Sequence, residues 1–280
     1  MRVKHLGSGV VLFENAAEID KSILSEFLSG VEKNATPQGY SESVDKKDVV
    51  ISDGGYEYEQ GELAVAPTRY IQYLYEGMPE EHRQFAISLE DALYQCVVYY
   101  MRLFPVALAC VRWRTRGYII KYTPGQNIGP HTDNDLPYGD DPIVPLLEFP
   151  LSNTITSGLI LNDGYDGGDI EFASWGIKVS PKMGDAIFYS SSFCGCHQVN
   201  AVTNGARYAY LQWFSQGSPN NMARPSTEVL SPIQHIPNLH HDVCGDARGD
   251  FRKPRMIPVG YADWVQGETP SGYLTGEGGE

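Results

Sequence analysis

The chain has 280 residues, of which 42% are hydrophobic and 20% are charged, and its formal net charge is −14. This composition is typical of a folded protein with a sizeable core and excludes a disordered chain. Because so acidic a chain repels nucleic-acid phosphates and anionic lipid, we expect neither nucleic acid nor a membrane as its partner.

The N-terminal sequence contains one short apolar run, which Gly and Ser interrupt and acidic residues follow. This pattern differs from a secretory signal peptide, and no stretch approaches the roughly 18 apolar residues of a membrane helix. The five cysteines are few and odd in number, which argues against a disulfide framework. We therefore expect a cytoplasmic protein.

Two helices are predicted in the first part of the chain. Residues 15–34 carry an apolar residue at every fourth position, and Asn15 is placed to cap the start of this helix. Residues 79–103 form the second helix, which Pro79 opens and acidic residues follow. The polar, Gly- and Pro-rich stretch between them, 35–68, is predicted as a surface excursion.

Beyond Pro105 the pattern changes to short runs rich in Ile, Val, Phe and Tyr, separated by Gly, Pro, Asn and Asp. Such runs are typical of an antiparallel sandwich or barrel. We therefore predict one domain, residues 1–217, with a helical part, 1–105, and a β core, 106–217. The fold class is mainly β (α+β).

Two segments stand apart from this pattern. Residues 134–157 are a Pro-rich insertion, which we interpret as a lid. Residues 218–280 show little periodicity and are predicted as an irregular C-terminal extension that wraps the core, mediates oligomerisation or is partly loose.

The sequence "GPHTDND" places His131 and Asp133 two positions apart, and in a strand such residues point to the same face. Alone, they are most simply a solvated strand pair. His197 supplies a third ligand, and two histidines with one carboxylate form the facial triad of non-haem Fe(II) oxygenases. Arg207 follows His197 by ten positions, and its guanidinium suits a carboxylate. Asn204-Gly205 predicts a hairpin turn between them.

Two other patterns are weaker candidates for a metal site. His240-His241-Asp242 also contains an H-x-D spacing, but no histidine follows it and no strand pattern surrounds it. Cys194 and Cys196 have a C-x-C spacing without a matching second pair, so a Cys-ligated zinc is a minor alternative to buried thiols.

Residues 118–214 resemble the prolyl 4-hydroxylase branch of the 2-oxoglutarate/Fe(II) dioxygenases. The segments that carry the resemblance occur in the family order: "KYTPGQNIGPHTDN", "LILNDGYDGGDIEF", "VSPKMGDAIFY" and "HQVNAVTNGARYAYLQWF". The resemblance implies a double-stranded β-helix (a jelly roll) with N-terminal flanking helices. It also implies Fe(II) and 2-oxoglutarate, with ascorbate as an auxiliary reductant.

The resemblance also assigns roles to individual residues. His131, Asp133 and His197 are the implied iron ligands, and Arg207 is the implied partner of the far carboxylate of 2-oxoglutarate. Tyr122 and Trp213 match pocket residues of the family, although aromatic residues in strands are often simply core. The chain departs from relatives at Ile160, where many have a tyrosine that contacts the cosubstrate.

The implied function is that of a dioxygenase that hydroxylates an unactivated C–H bond, with a prolyl or other amino-acid residue of a peptide or protein as the expected substrate. Tailoring of a free amino acid or small metabolite is the enzymatic alternative, and a catalytically silent β-helix scaffold is the non-enzymatic one. The presence of Asp133 argues against a halogenase, and Trp213 stands where demethylases of nucleic acid carry a second arginine. Oligomeric state is left open.

Overall fold

The structure, a computed structural model, describes residues 1–32, 36–38, 69–73, 77–115, 117–134, 153–216 and 233–244. The predicted surface excursion, 35–68, lies almost wholly outside the described residues, and so does most of the predicted lid, 134–157. Within the described ranges, no helix combines the length and the apolarity that a membrane crossing requires.

The β-strands are β1 (Arg2–Gly7), β2 (Val10–Glu14), β3 (Thr36–Gln38), β4 (Arg69–Tyr73), β5 (Trp113–Thr115), β6 (Tyr118–Tyr122), β7 (Ile128–His131), β8 (Asn153–Ile160), β9 (Asp166–Gly167), β10 (Ile170–Phe172), β11 (Ile177–Val179), β12 (Ala186–Ser190), β13 (His197–Val199), β14 (Val202–Asn204), β15 (Arg207–Ser215) and β16 (Ile233–His235). The α-helices are α1 (Lys21–Glu32), α2 (Glu80–Leu103) and α3 (Leu239–Cys244).

The barrel is built from two sheets. The larger sheet has the order β1-β2-β12-β8-β15-β6-β4-β3, and the smaller sheet has the order β11-β10-β13-β7. From β6 to β15 the chain repeatedly crosses from one sheet to the other, which is the topology of a jelly roll. The predicted fold, a mainly β double-stranded β-helix with flanking helices, is confirmed.

The central strands of the larger sheet, β6, β8, β12 and β15, are buried on both faces. One face packs against α1 and α2, with Leu159, Tyr210 and Phe214 among its fully buried side chains. The other face lies inside the barrel, where Tyr122 and Tyr189 join side chains of the smaller sheet. The barrel interior, lined by both sheets, is where the chain brings its polar candidate residues together.

The N-terminal part differs from the prediction. Its first residues form the hairpin β1–β2, and β2 extends the larger sheet by pairing with β12. The predicted helix 15–34 is shorter, Lys21–Glu32, and the predicted cap is wrong. Asn15 has a φ of 53° and donates its N–H to Asp185, whereas Asp20 Oδ1 accepts the N–H of Ser22 at 2.9 Å. The second predicted helix, 79–103, is confirmed as α2.

The C-terminal extension is not irregular where the structure describes it. β16 pairs with β5, and α3 packs against α2, where Arg102 donates a hydrogen bond to the backbone oxygen of Asp242 at 2.7 Å. Residues 233–244 therefore wrap the core, one of the roles considered for this segment. The predicted insertion is also too long, because β8 already begins at Asn153.

One local prediction is wrong for a topological reason. Gly205 does form a turn, with a φ of 73°, but β14 pairs with β9 while β15 pairs with β6 and β8. The turn is thus a corner between sheets and not a hairpin. Arg114 on β5 forms a salt bridge of 3.2 Å with the buried Glu90 of α2.

Candidate metal centre and carboxylate pocket

Three side chains with metal-binding atoms meet inside the mouth of the barrel. β13 pairs with β7 so that His197 lies directly opposite His131, and their ring centroids are 4.4 Å apart. Asp133 follows in the turn after β7, with Oδ1 3.7 Å from Nε2 of His131. One ligand atom from each residue lies within 4.8 Å of the others. Among the described residues, this is the group of His, Cys, Asp and Glu side chains whose geometry suits a metal ion.

The local reason for this arrangement differs from the sequence argument. We expected His131 and Asp133 to share one face of a strand, but β7 ends at His131 and Asp133 lies in a turn. The turn is anchored, because Asn134 donates its N–H to the backbone oxygen of Ser191 at 3.2 Å and Asn153 bonds the backbone oxygen of Asp133 at 3.1 Å. The carboxylate of Asp133 is therefore positioned by hydrogen bonds between its turn and the neighbouring segments. The alternation of side chains along a strand does not position it.

Backbone carbonyls fix the tautomer of both histidines. Nδ1 of His131 lies 2.8 Å from the oxygen of Gly129, and Nδ1 of His197 lies 3.0 Å from the oxygen of Gly195. Because a carbonyl oxygen only accepts, each Nδ1 carries the hydrogen and each Nε2 keeps its lone pair. Both Nε2 atoms are thus presented as neutral ligands, as a divalent metal requires.

A buried pair of hydroxyls orients the carboxylate of Asp133. Thr156 Oγ1 donates to Oδ2 of Asp133 at 2.6 Å and lies 2.9 Å from Oγ of Ser191. Both hydroxyl residues are at most 1% exposed. The single Thr156 hydrogen goes to the carboxylate, so the Ser191 hydroxyl donates to Thr156. Oδ2 is therefore held on one side, and Oδ1 faces the two histidines.

Arg207 is a buried guanidinium at the start of β15. It is 3% exposed, its Cζ lies 5.6 Å from the centre of the Tyr122 ring, and it pairs in register with Tyr122 on β6. Among the described residues its Nε has no hydrogen-bond partner, while the guanidinium interacts with the hydroxyl of Tyr165 and with the negative charge of Asp169. Because a buried charge that its neighbours compensate only in part is costly, an anion from outside the chain would stabilise Arg207 at this position.

The remaining predicted pocket residues lie along the same interior. Tyr122 is 2% exposed beneath Arg207, and Trp213 lies on β15 with its ring 5.1 Å from that of Tyr118. The indole Nε1 of Trp213 is buried and has no hydrogen-bond partner among the described residues. Ile160 is buried on β8 opposite Ala209 and offers no hydroxyl to an anion.

The rejected metal candidates lie elsewhere. His241 and Asp242 belong to α3, where Asp242 accepts a hydrogen bond of 2.5 Å from the hydroxyl of Tyr94 and so ties α3 to α2. Cys194 lies within the 3-10 turn Phe193–Gly195 and Cys196 follows that turn, and neither belongs to the cluster of metal-binding atoms.

Residues 117–215 match the family model of the 2OG-Fe(II) oxygenase superfamily. This segment, which contains His131, Asp133, His197 and Arg207, is similar to the 2OG-Fe(II) oxygenases. This oxygenase is therefore an enzyme that uses Fe(II) and 2-oxoglutarate, as the sequence predicted.

Solved structures of similar proteins include three hydroxylases. A prolyl-4-hydroxylase of Pseudomonas putida is 18% identical, with a TM-score of 0.47, 75% of this chain covered and 94% of that one. The viral collagen prolyl hydroxylase of Paramecium Bursaria Chlorella virus-1, in a 2OG complex, is 14% identical with a TM-score of 0.45, and the match covers 74% of this chain and 96% of that one. A Trichoplax adhaerens prolyl hydroxylase in complex with a hypoxia inducible factor peptide is 15% identical with a TM-score of 0.48, and the match covers 75% of this chain and 84% of that one.

The residues of the oxygenase fit both groups that its family requires. Two imidazole nitrogens and one carboxylate are the donor set that suits a non-haem iron with open positions. The buried guanidinium of Arg207, whose Nε has no hydrogen-bond partner among the described residues, suits the carboxylate of an organic dianion, because its planar fork can bind both oxygens.

Five functional features escaped the sequence analysis. They are the hydroxyls of Thr156 and Ser191, the phenols of Tyr165 and Tyr189, and the absence of a side chain at Gly168, which leaves room for Arg207. Tyr165 lies close enough to Arg207 for the guanidinium to oppose the rise in the Tyr165 pKa that burial causes. Thr156 carried a usable signal, since a hydroxyl in a buried strand needs a hydrogen-bond partner.

Proposed function

We propose that this oxygenase hydroxylates an unactivated C–H bond in a prolyl or other amino-acid residue of a peptide or protein. In this proposal His131, Asp133 and His197 hold the iron, and Arg207 holds the far carboxylate of 2-oxoglutarate. The observation that carries it is the convergence of the three ligand atoms within 4.8 Å, inside the same barrel that buries Arg207.

The chain's own residues bind, orient and exclude water. Gly129 and Gly195 hold the two imidazoles through their backbone oxygens, and Thr156 turns the carboxylate so that one oxygen faces them. Bound Fe(II) and 2-oxoglutarate would supply the oxidising power together with dioxygen, one atom of which would go to the succinate formed with CO2 from 2-oxoglutarate and the other to the substrate. Aromatic side chains around the site keep bulk water away from it.

Tyr122 and Trp213 are proposed as pocket residues of different kinds. Tyr122 packs under Arg207 and limits the directions from which an anion can approach. Trp213 offers an unpaired indole N–H inside the barrel, which suits a hydrogen-bond acceptor on the cosubstrate or substrate. With Ile160 in place of a tyrosine, Arg207 carries a larger share of the carboxylate binding.

Thr156→Val is expected to weaken metal binding by about ten- to a hundredfold, the usual effect of removing a group that orients a ligand. Valine keeps the shape and removes the hydrogen bond to Asp133 Oδ2. Ser157→Ala is the matched control, because the neighbouring Ser157 hydroxyl is equally buried but donates to the backbone oxygen of Gln212. Titration with Co(II) measures both affinities, and equal affinities would contradict the role of Thr156.

Gly168→Ala is expected to weaken 2-oxoglutarate binding by roughly tenfold or more, because charge-assisted hydrogen bonds depend on position. A Cβ at this residue would lie 2.7 Å from Cδ of Arg207, so the arginine must move. Gly164→Ala is the control, since its φ of +86° resembles the +69° of Gly168 but nothing lies within 4 Å of its Cβ. Both variants lose stability, and a 2-oxoglutarate affinity lowered equally in both would contradict the steric account.

The substrate class is tested by supplying Fe(II), 2-oxoglutarate and oxygen with prolyl peptides or with the corresponding free amino acids. We expect a peptide to increase succinate release and to gain one oxygen atom by mass. Hydroxylation of free amino acids alone would favour the small-molecule alternative. If no amino-acid substrate, free or in a peptide, stimulates succinate release above the uncoupled rate, this substrate class is wrong.

A further inference from the structure

A buried phenol lies among the proposed metal ligands. Tyr189, near the end of β12, is 4% exposed, and its hydroxyl lies 3.0 Å from Nε2 of His197. The same hydroxyl is close enough to the Asp133 carboxylate for a hydrogen bond. Burial raises the pKa of Tyr189 well above its ordinary value, and the negative charge of Asp133 raises it further, so the phenol is a hydrogen donor.

The hydrogen bond to His197 uses an atom that a metal also needs. Since Nδ1 of His197 donates to the oxygen of Gly195, Nε2 has no hydrogen of its own and accepts the one from Tyr189. An imidazole nitrogen has a single lone pair in the ring plane. The phenol hydrogen and a metal ion cannot both use it.

The phenol ring has little freedom to move away. It packs edge-on against Phe172, with ring centroids 5.0 Å apart at 73°, and against His197 at 4.6 Å. The hydroxyl hydrogen can nevertheless turn about the C–O bond without any movement of the ring. His197 Nε2 and the Asp133 carboxylate are both within its reach.

We propose that Tyr189 lowers the metal affinity of this site, because its hydroxyl hydrogen competes with the metal for Nε2 of His197. The inference rests on the proposed iron site and adds a positioning residue to it. Each metal ion that binds must first break this buried hydrogen bond.

Tyr189→Phe tests this inference by the direction of its effect. The substitution keeps the ring and removes the competitor, so Co(II) added to the metal-free full-length protein should bind roughly two- to tenfold more tightly, the equivalent of one net hydrogen bond. A purely structural role would weaken binding instead. Tyr100→Phe is the matched control, because it removes another buried phenol hydroxyl, which donates to the oxygen of Gly9 at 2.8 Å, and it should leave the affinity unchanged.

The outcomes separate this inference from the proposed function. Co(II) binding by the wild type that is abolished in His131→Ala places the measured metal at the proposed site. If Tyr189→Phe, shown to be folded, then binds Co(II) no more tightly than the wild type, the role of Tyr189 is wrong and the iron site stands. If the folded wild type binds no Co(II), the proposed site itself is wrong, and the inference with it.

Discussion

Arg207→Gln lowers the affinity for 2-oxoglutarate by roughly ten- to a hundredfold, the range expected when charge-assisted hydrogen bonds are lost. Glutamine retains polarity and part of the length but loses the charge and the planar fork. Arg207→Lys retains the charge alone, so its affinity should lie between those of the wild type and the glutamine variant. Equilibrium dialysis of Fe(II)-loaded protein under anaerobic conditions measures all three.

Arg207→Gln should not destabilise the protein in the absence of 2-oxoglutarate, although it weakens 2-oxoglutarate binding. Arg207 is 3% exposed, and Asp169 and the hydroxyl of Tyr165 compensate its charge only in part, so the folded state bears part of the cost of burying that charge. We expect Arg207→Gln to leave the free energy of unfolding unchanged or to raise it, by on the order of 1 kcal/mol. Excess 2-oxoglutarate should then raise the melting temperature of the wild type much more than that of the variant.

Arg114→Gln serves as the contrasting arginine. Its guanidinium is paired with Glu90, 1% exposed, at 3.2 Å, so removing it leaves a buried carboxyl without its counter-charge. Its loss should destabilise the protein and leave the affinity of the folded protein for 2-oxoglutarate unchanged. If Arg207→Gln instead destabilises the protein as Arg114→Gln does and binds 2-oxoglutarate normally, Arg207 is a structural residue.

Asp133→Ala removes the only carboxylate of the proposed triad, and we expect it to lower metal affinity by more than about a hundredfold, beyond the effect of losing an orienting group. Turnover should fall with it, since 2-oxoglutarate decarboxylation needs the metal. Fe(II)-dependent succinate release and Co(II) titration measure the two effects. The two histidines would remain, but they carry no charge to balance a divalent ion.

Asp185→Asn controls for the loss of a buried carboxylate. Asp185 is 7% exposed, and its two oxygens accept the backbone N–H groups of Asn15 and Lys182. Its substitution should lower the free energy of unfolding by about 1 kcal/mol for the weakened hydrogen bonds and leave metal affinity intact. Retention of tight metal binding by Asp133→Ala would contradict the proposed ligand set.

The fold class and α2 were predictable because their patterns are long or repeated. The short elements were not, since tertiary contacts decide them. The run that became β2 has five residues, and it is a strand because it pairs with β12. Asn204-Gly205 predicted a turn correctly, but turn chemistry does not say whether the flanking strands share a sheet.

The candidate site was predictable to the extent that ligand types and spacings are visible in a sequence. The structure brings His131, Asp133 and His197 together, although Asp133 lies in a turn and not in the strand that the spacing suggested. The groups that orient these side chains come from β8 and β12, distant along the chain. No spacing rule connects Thr156 or Tyr189 to Asp133, and only the packed barrel makes them neighbours.

The most direct test of the account is anaerobic addition of Fe(II) and then 2-oxoglutarate to the metal-free protein, followed by visible absorption. Chelation of 2-oxoglutarate to protein-bound iron gives a weak charge-transfer band. We predict this band in the wild type, its loss in Asp133→Ala, and its appearance only at higher 2-oxoglutarate concentrations in Arg207→Gln. A folded wild type without the band, or a band that Asp133→Ala retains in full, would contradict the proposed iron and 2-oxoglutarate site.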